Sequence, residues 1–163
     1  MNQKTAMKLF GLLGLLMLLS CGYADRHRNS SSCEQALVDS LEVRVQDSLF
    51  SNVHYSRSQL LEALTQTQDS LVYYRLLALY GKTFFVSSDF DSILYYNRRV
   101  KEFSRNASQS SESLQSPRWN DVLSDVYNIE GNVWMQLNRP DSAITDYKKA
   151  YEYRLKGKKL HLL

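Results

Sequence analysis

Apolar residues recur at every third or fourth position over most of the chain, which is the period of an amphipathic helix. The first stripe consists of Ala36, Leu37, Leu41, Val45 and Leu49. After a break, a second stripe begins at Leu60, with Ser56 or Ser58 as its expected N-cap. Asp69 and Ser70 then signal the start of a third helix. The pattern predicts an all-α chain.

Two later segments, residues 76–103 and 126–153, share a pattern when Gly81 is aligned with Gly131. In both segments an aromatic residue follows the glycine, and an Asp-Ser pair and two smaller apolar positions come later. The residues that coincide are Phe84 with Trp134, Asp91-Ser92 with Asp141-Ser142, Ile93 with Ala143, and Val100 with Ala150. Each segment therefore predicts a helix, a short turn and a second helix, with the aspartates of the two pairs as caps.

Small residues in these segments predict close contact between helices. Gly81 or Gly131 on a first helix lets the second helix approach, and Ala143 and Ala150 lie seven residues apart on one helix face. The large side chains expected to fill the space around these contacts are Phe84, Trp134 and Tyr147. A hairpin of this kind cannot bury both of its faces alone, so it needs stacked neighbours.

These positions resemble the tetratricopeptide repeat (TPR). The second segment matches the family's spacing at Tyr127, Gly131, Trp134, Ala143, Tyr147 and Ala150, but the family's late proline is absent. The first segment is degenerate, because Ile93, Asn97 and Val100 replace the small, aromatic and small residues. The resemblance covers residues 74–157 and implies an α-solenoid of stacked antiparallel helical hairpins.

The chain then divides into five parts. They are a signal peptide at 1–20, a lipid-attached polar tether at 21–33, a divergent helical hairpin or cap at 34–73, two TPR-like repeats at 74–157 and an apolar-ended tail at 158–163. An inserted polar loop at 106–117 accounts for the 50-residue separation of the two glycines.

The N-terminus has the pattern of a secretory signal. Lys4 and Lys8 form a basic start, and the uncharged run at 9–19 is short for a membrane span. Cleavage after Ala24 and an uncleaved anchor helix are the alternatives to the lipoprotein interpretation that follows.

The end of this signal resembles the lipobox of bacterial lipoproteins. Leu18, Ser20 and Cys21 meet its pattern, although Leu19 is bulkier than the usual residue. The resemblance implies lipidation of the Cys21 thiol, with acyl chains such as palmitate, and cleavage before it. The protein would then lie in the cell envelope, anchored to a bacterial membrane and facing the periplasm or the cell surface.

Composition argues against several classes of function. Without the two leader lysines, 18 basic side chains face 17 acidic ones, which gives no electrostatic footprint for nucleic acid. His27, His54 and His161 are isolated, so no metal site is predicted. We find no phosphate-binding glycine loop and no nucleophile elbow in the sequence, so we predict neither an enzyme nor a cofactor.

In the TPR family the first helices of the repeats line a concave groove. The resemblance therefore nominates as partner-binding residues Arg75, Lys82, Phe85, Asp125, Asn128 and Asn132. The alternative is that these side chains are merely a solvated helix surface.

The favoured interpretation is an exported, lipid-anchored TPR scaffold that binds a protein or a peptide without catalysis. The alternative is the N-terminal sensory TPR portion of a membrane-bound signalling or transcription regulator, of the kind found in Bacteroidota, because Leu160, Leu162 and Leu163 resemble the start of a further helix. A weaker alternative is a helical lipoprotein that binds nutrients at the cell surface.

Overall fold

A computed structural model describes residues 35–49, 51–107 and 117–160. The predicted signal peptide, the predicted tether with Cys21, most of the predicted loop and the last three residues lie outside these ranges. The chain divides into two units, Met1–Leu37 and Val38–Leu163. Of the first unit, residues 35–37 are described, and they are helical.

Six α-helices follow one another along the described residues. They are 35–48 (α1), Val53–Gln66 (α2), Ser70–Lys82 (α3), Phe90–Ala107 (α4), Pro117–Gln136 (α5) and Pro140–Leu160 (α6). A 3₁₀ helix, Thr83–Ser87, continues α3. The described ranges contain no strand. The prediction of an all-α chain is confirmed.

Some predicted boundaries fall inside helices. The expected border between residues 73 and 74 lies within α3, which is continuous from Ser70 to Lys82. Residues 106, 107 and 117, which were assigned to the loop, are helical, and α6 continues through the predicted tail as far as Leu160.

The cap of α3 is confirmed and that of α2 is corrected. The Asp69 carboxylate accepts hydrogen bonds from the backbone N–H groups of Leu71 at 2.8 Å and Val72 at 3.1 Å. The cap of α2 is Asn52, whose side chain accepts from the backbone of Tyr55. Ser56, one of the two expected caps, is instead buried inside α2, because the helix begins at Val53, seven residues before the Leu60 at which its apolar stripe begins.

The turns that precede α4 and α6 have the same backbone geometry. Ser88 and Asn138 both adopt the left-handed conformation, with φ of 54° and 55°. The next residue of each turn donates its N–H back to the first helix, at 3.1 Å to the Phe84 carbonyl and 2.8 Å to the Trp134 carbonyl. All of these positions are related by the same 50-residue offset as the two glycines.

This geometry corrects the two predicted caps at Asp91 and Asp141. The left-handed residue ends the first helix early, so α4 begins at Phe90, and Asp89 accepts from the N–H of Ser92 at 3.1 Å. Helix α6 begins at Pro140. Asp91 and Asp141 therefore lie in the first turn of their helices, where a carboxylate interacts favourably with the positive end of the helix dipole.

The helices bury three apolar clusters. The first joins α1, α2 and α3 around Leu60 and Leu76, the second joins α3, α4 and α5 around Trp119 and Val100, and the third surrounds Ile93. Helix α5 packs most extensively along α6, and α3 along α4, while α3 and α4 both contact α5. The contact of α3 with α5 creates the surface described next.

Candidate functional site

The six residues nominated as a groove lie around two adjacent cavities on one side of α3 and α5. The larger cavity has a volume of about 410 Å³ and the smaller one about 240 Å³. Both cavities are lined by Lys82, Asp125 and Ile129. We call the two cavities together the groove. The larger one also takes in Arg75, and the smaller one takes in Phe85, Asn128 and Asn132.

Helical spacing explains why these side chains share a surface. Residues three, four or seven apart lie on one helix face. On α3 this rule aligns Arg75, Ala78 and Lys82, and on α5 it aligns Asp121 and Asp125 with the asparagines further along. Because α3 contacts α5, the two faces form two walls of one depression.

Helix α1 supplies a third wall, which sequence reasoning missed. Its contribution to the larger cavity is Asp39, Glu42, Val43 and Gln46. In the sequence, Asp39, Glu42 and Gln46 have the three- and four-residue spacing of one helix face, which lies beside the buried stripe of α1. The long-range contact of α1 with α3 could not be read from that spacing.

Arg75 connects α3 to the α1 wall and is not a free binding group. Its side chain is buried, and its guanidinium donates to Asp39 at 2.8 Å and lies 3.5 Å from Glu42. Arg118, at the start of α5, also pairs with Asp39, at 2.9 Å. The charges at this end of the groove therefore largely neutralise one another and join the three helices.

Lys82 and Asp125 lie where the two cavities meet. Within the described ranges, Lys82 has no carboxylate within 4.0 Å, and the nearest cation to the Asp125 carboxylate is Arg154, at 3.7 Å. Burial raises the pKa of Asp125, and the neighbouring Asp121 raises it further, whereas Lys82 and Arg154 act to lower it. The middle of the groove therefore has a half-buried carboxylate that is only weakly paired.

The smaller cavity combines amides with apolar side chains. The side-chain oxygen of Asn132 accepts a hydrogen bond from the Tyr147 hydroxyl at 2.8 Å, which leaves its NH₂ group as a donor. Asn128, one turn earlier on α5, is exposed, and Leu49 and Phe85 supply apolar surface. Amides beside apolar surface can hydrogen-bond to the main chain of an extended peptide.

The residues predicted to pack the second hairpin lie at the interface of α5 and α6. A Cβ atom placed on Gly131 would overlap the aromatic ring of Tyr147. The indole N–H of Trp134 donates to the carboxylate of Asp146 on α6 at 2.8 Å. Ala143 and Ala150 are both buried.

The first hairpin has a related but shifted contact. A Cβ atom on Gly81 would lie 2.9 Å from the Cβ of Tyr96, which is one position before the residue aligned with Tyr147. The Phe84 ring stacks against Tyr96 at 5.6 Å, makes an edge-to-face contact with Tyr80 at 5.3 Å and lies under the guanidinium of Arg57 at 4.1 Å. The glycine is therefore close to an aromatic residue in both hairpins.

A buried ion pair between α4 and α5 was also missed. The ammonium of Lys101 lies 2.7 and 2.5 Å from the two carboxylate oxygens of Glu130, whose side chain is only 4% exposed. Burial raises the pKa of Glu130, and the hydrogen bond from Lys101 partly offsets that rise. The sequence signal for this pair was that Glu130 is the one charged residue between 126 and 136.

The described residues offer no recognisable centre for metal chemistry. Among them, no three His, Cys, Asp or Glu side chains are grouped so that they could hold a metal ion. No helix in the described ranges is long and apolar enough to cross a membrane.

Comparison with known proteins found no relative. No protein-family model, no curated protein and no solved structure matches this chain.

Proposed function

We propose that this chain is an exported, lipid-anchored, TPR-like scaffold that binds a protein or peptide partner in the groove without catalysing a reaction. The observation that carries the proposal is the clustering of the six residues nominated from the sequence around two adjoining cavities. Arg75 fixes one end of the groove, and the five others line the open surface.

The proposed repeat architecture is supported by features that the two turns share. Left-handed Ser88 and Asn138, and the backbone hydrogen bonds that follow them, lie 50 residues apart, as Gly81 and Gly131 do. A shared turn geometry sets the angle at which a second helix returns along the first. Two hairpins with related turns, in contact through α3 and α5, suit a short stack of TPR-like units.

The mechanism of binding would be recognition of shape and hydrogen bonding. The groove offers an apolar floor, the weakly paired carboxylate of Asp125 and the side-chain amides of Asn128 and Asn132. It also offers Lys82, which has no carboxylate within 4.0 Å among the described residues. An extended peptide would bury apolar side chains in the cavities and pair its main chain with Asn128 and Asn132. Arg75 and its carboxylate partners hold α1, α3 and α5 in place, so little ordering of the protein would be needed on binding.

Affinity purification from the native envelope tests the groove. The full chain, tagged and chemically crosslinked in its own cells, should recover a discrete partner, and the double variant Asn128→Ala, Asn132→Ala should recover much less of it. A matched control is Asn106→Ala, Gln136→Ala, which removes two exposed amides outside the groove lining. Equal recovery by the groove variant and the control, with unchanged circular dichroism, would contradict the proposal.

The lipid anchor has its own test. Labelling with a palmitate analogue should be present in the wild-type chain and absent in Cys21→Ala. Labelling that is unchanged by this substitution would remove the anchor from the proposal while leaving the groove untouched.

A second candidate is the sensory TPR portion of a membrane-bound signalling or transcription regulator. It is favoured by an exposed apolar face on α6 that consists of Ile144, Tyr151 and Leu155, which are 50%, 63% and 39% exposed. A further helix packed there would bury that face. Sequencing the gene beyond codon 163 tests this candidate, because it requires an open reading frame that continues into more helical repeats and a membrane segment.

A further inference from the structure

The larger cavity has an apolar interior. Its walls include Ala78 and Leu79 from α3 and Val122, Val126 and Ile129 from α5. Leu79, Val126 and Ile129 are at most 9% exposed, so they form the floor of the cavity. A volume of about 410 Å³ is within the range of pockets that take up small ligands or side chains.

Charges at the rim of this cavity are unequal in number. Four carboxylates line it (Asp39, Glu42, Asp121 and Asp125), against the three cations Arg75, Lys82 and Arg118. The two arginines are held by the carboxylates of α1 at 2.8 to 3.5 Å. The α5 wall therefore keeps two carboxylates, Asp121 and Asp125, against one lining cation, Lys82, with Arg154 at 3.7 Å from Asp125, whereas the smaller cavity has one lysine and one aspartate.

The α5 wall places its two carboxylates one helical turn apart. In the part of the chain that the structure describes, Asp121 has no ion-pair partner within 4.0 Å, and Asp125 has only the long contact with Arg154. Two carboxylates at this spacing can both reach one cationic head group. The apolar floor below them suits a hydrocarbon stem, which is how lysine and arginine side chains bury their methylenes while the head stays at the rim.

We infer that the larger cavity is a specificity pocket for a basic side chain, arginine or lysine, of the bound peptide, with Asp121 and Asp125 pairing with its cationic head. The inference rests on the proposed groove function and names the chemistry of its partner. The occupied pocket gives Asp121 an opposite charge and covers the apolar floor. Burial of the Asp125 carboxyl, which already raises its pKa, makes a pairing cation more favourable there.

Peptide selection tests this inference. The full chain, solubilised in detergent and immobilised, is screened against a phage-displayed library of random peptides. The same screen is run on Asp121→Asn, Asp125→Asn and on Glu102→Gln, an exposed carboxylate of α4 outside the groove. We expect the wild-type chain and Glu102→Gln to enrich peptides that share an arginine or lysine at one position. We expect the double variant to select peptides without that enrichment.

Affinity measurements sharpen the result. In fluorescence anisotropy, a selected basic peptide and its norleucine version should differ by at least about tenfold in Kd on the wild-type chain, as expected for a charge-assisted contact. The two peptides should bind the double variant equally well. Because Asn is isosteric with Asp and both sites are at the rim, unchanged circular dichroism is expected for this variant.

The outcomes separate the inference from the proposed function. Selected peptides that lose affinity in Asn128→Ala, Asn132→Ala but show no basic preference would overturn the inference and leave the groove in place. Equal affinity of the basic and norleucine peptides for the wild-type chain would also overturn it. Failure of the wild-type chain to select any peptide, or peptides that no groove substitution affects, would overturn the groove function itself.

Discussion

The two hairpins of this chain, α3 with α4 and α5 with α6, share a turn and a glycine but differ in what their second helices do. In α6 the aligned small and aromatic residues serve their own hairpin, since Tyr147 covers Gly131. In α4 the corresponding residues are Ile93, Asn97 and Val100, which are larger or polar, and Asn97 forms a hydrogen bond to the next hairpin. Asn97, aligned with Tyr147, donates from its side-chain amide to the Val126 carbonyl on α5 at 3.2 Å.

A second residue of α4 also connects the first hairpin to α5. Lys101, one turn after Asn97, pairs with the buried Glu130 on α5. The two contacts tie α4 to α5 along one face. Asn97, a position where the first hairpin departs from the pattern of the second, therefore helps Lys101 to join the first hairpin to α5.

The aligned position of Ile93 and Ala143 gives the largest expected effect. Ile93 is completely buried and packs in the cluster with Ile129 and Val133. Ile93→Ala brings the first hairpin closer to the repeat pattern, yet it should cost about 2–5 kcal/mol, because it leaves a cavity. Urea unfolding followed by circular dichroism measures the loss. A stability equal to wild type would show that the repeat pattern, and not local packing, governs this position.

Lys101→Met should have the next largest effect. It removes the cation from a carboxylate that is 4% exposed, and leaving such a group unsatisfied costs about 1–3 kcal/mol at neutral pH. The double variant Lys101→Met, Glu130→Gln should recover part of the loss, because no charge then remains buried. If the single variant unfolds at the wild-type urea concentration, the ion pair does not hold the two hairpins together.

Glu130 also predicts a pH dependence. Because burial raises its pKa above 4.5 in the folded protein, the folded state takes up its proton more readily than the unfolded state does. Ionisation therefore costs stability above the raised pKa, and the cost disappears as the pH falls through that pKa towards 4.5. The stability of wild type relative to Glu130→Gln should rise on acidification through this window. A constant difference between the two proteins, measured by urea unfolding at each pH, would contradict the raised pKa.

The helix caps give the smallest expected effect. Asp89→Ala removes the side chain that caps α4, and a lost cap lowers Tm by a few degrees. Asp91→Ala, at the position that the sequence alignment favoured, removes only an exposed first-turn carboxylate and should leave Tm almost unchanged. Thermal unfolding of the two variants shows whether Asp89 or Asp91 caps α4. A larger fall in Tm for Asp91→Ala than for Asp89→Ala would show that Asp91 is the cap.

Periodicity was sufficient to predict the helices, because amphipathic stripes such as that from Leu71 to Tyr80 require burial of one face. It was insufficient for the turns. Ser88 and Asn138 adopt the left-handed conformation without being glycine, so both helix starts were placed late: Asp89 caps α4 in place of Asp91, and α6 begins at Pro140, before Asp141.

On α3 and α5, helical spacing gives each helix one candidate face, with Lys82 on the first and Asp125 and Asn128 on the second, and the resemblance to repeat hairpins nominated the two faces together. The α1 wall was not predicted, because no local pattern links Asp39 to Arg75, which is 36 residues later in the chain. Burial of Arg75 could not be foreseen for the same reason. Local spacing predicts which face a side chain occupies, whereas its partners depend on how distant helices meet.

Photo-crosslinking in the native envelope tests the central claim most directly, namely that the groove between α3 and α5 binds a partner. A photoreactive amino acid is placed at Phe85 on one wall, at Asn128 on the other, and at the exposed Arg98 on α4 as a control. The account predicts that the first two positions capture the same partner protein and that the control does not. Capture from Arg98 alone, or equal capture from all three positions, would contradict it.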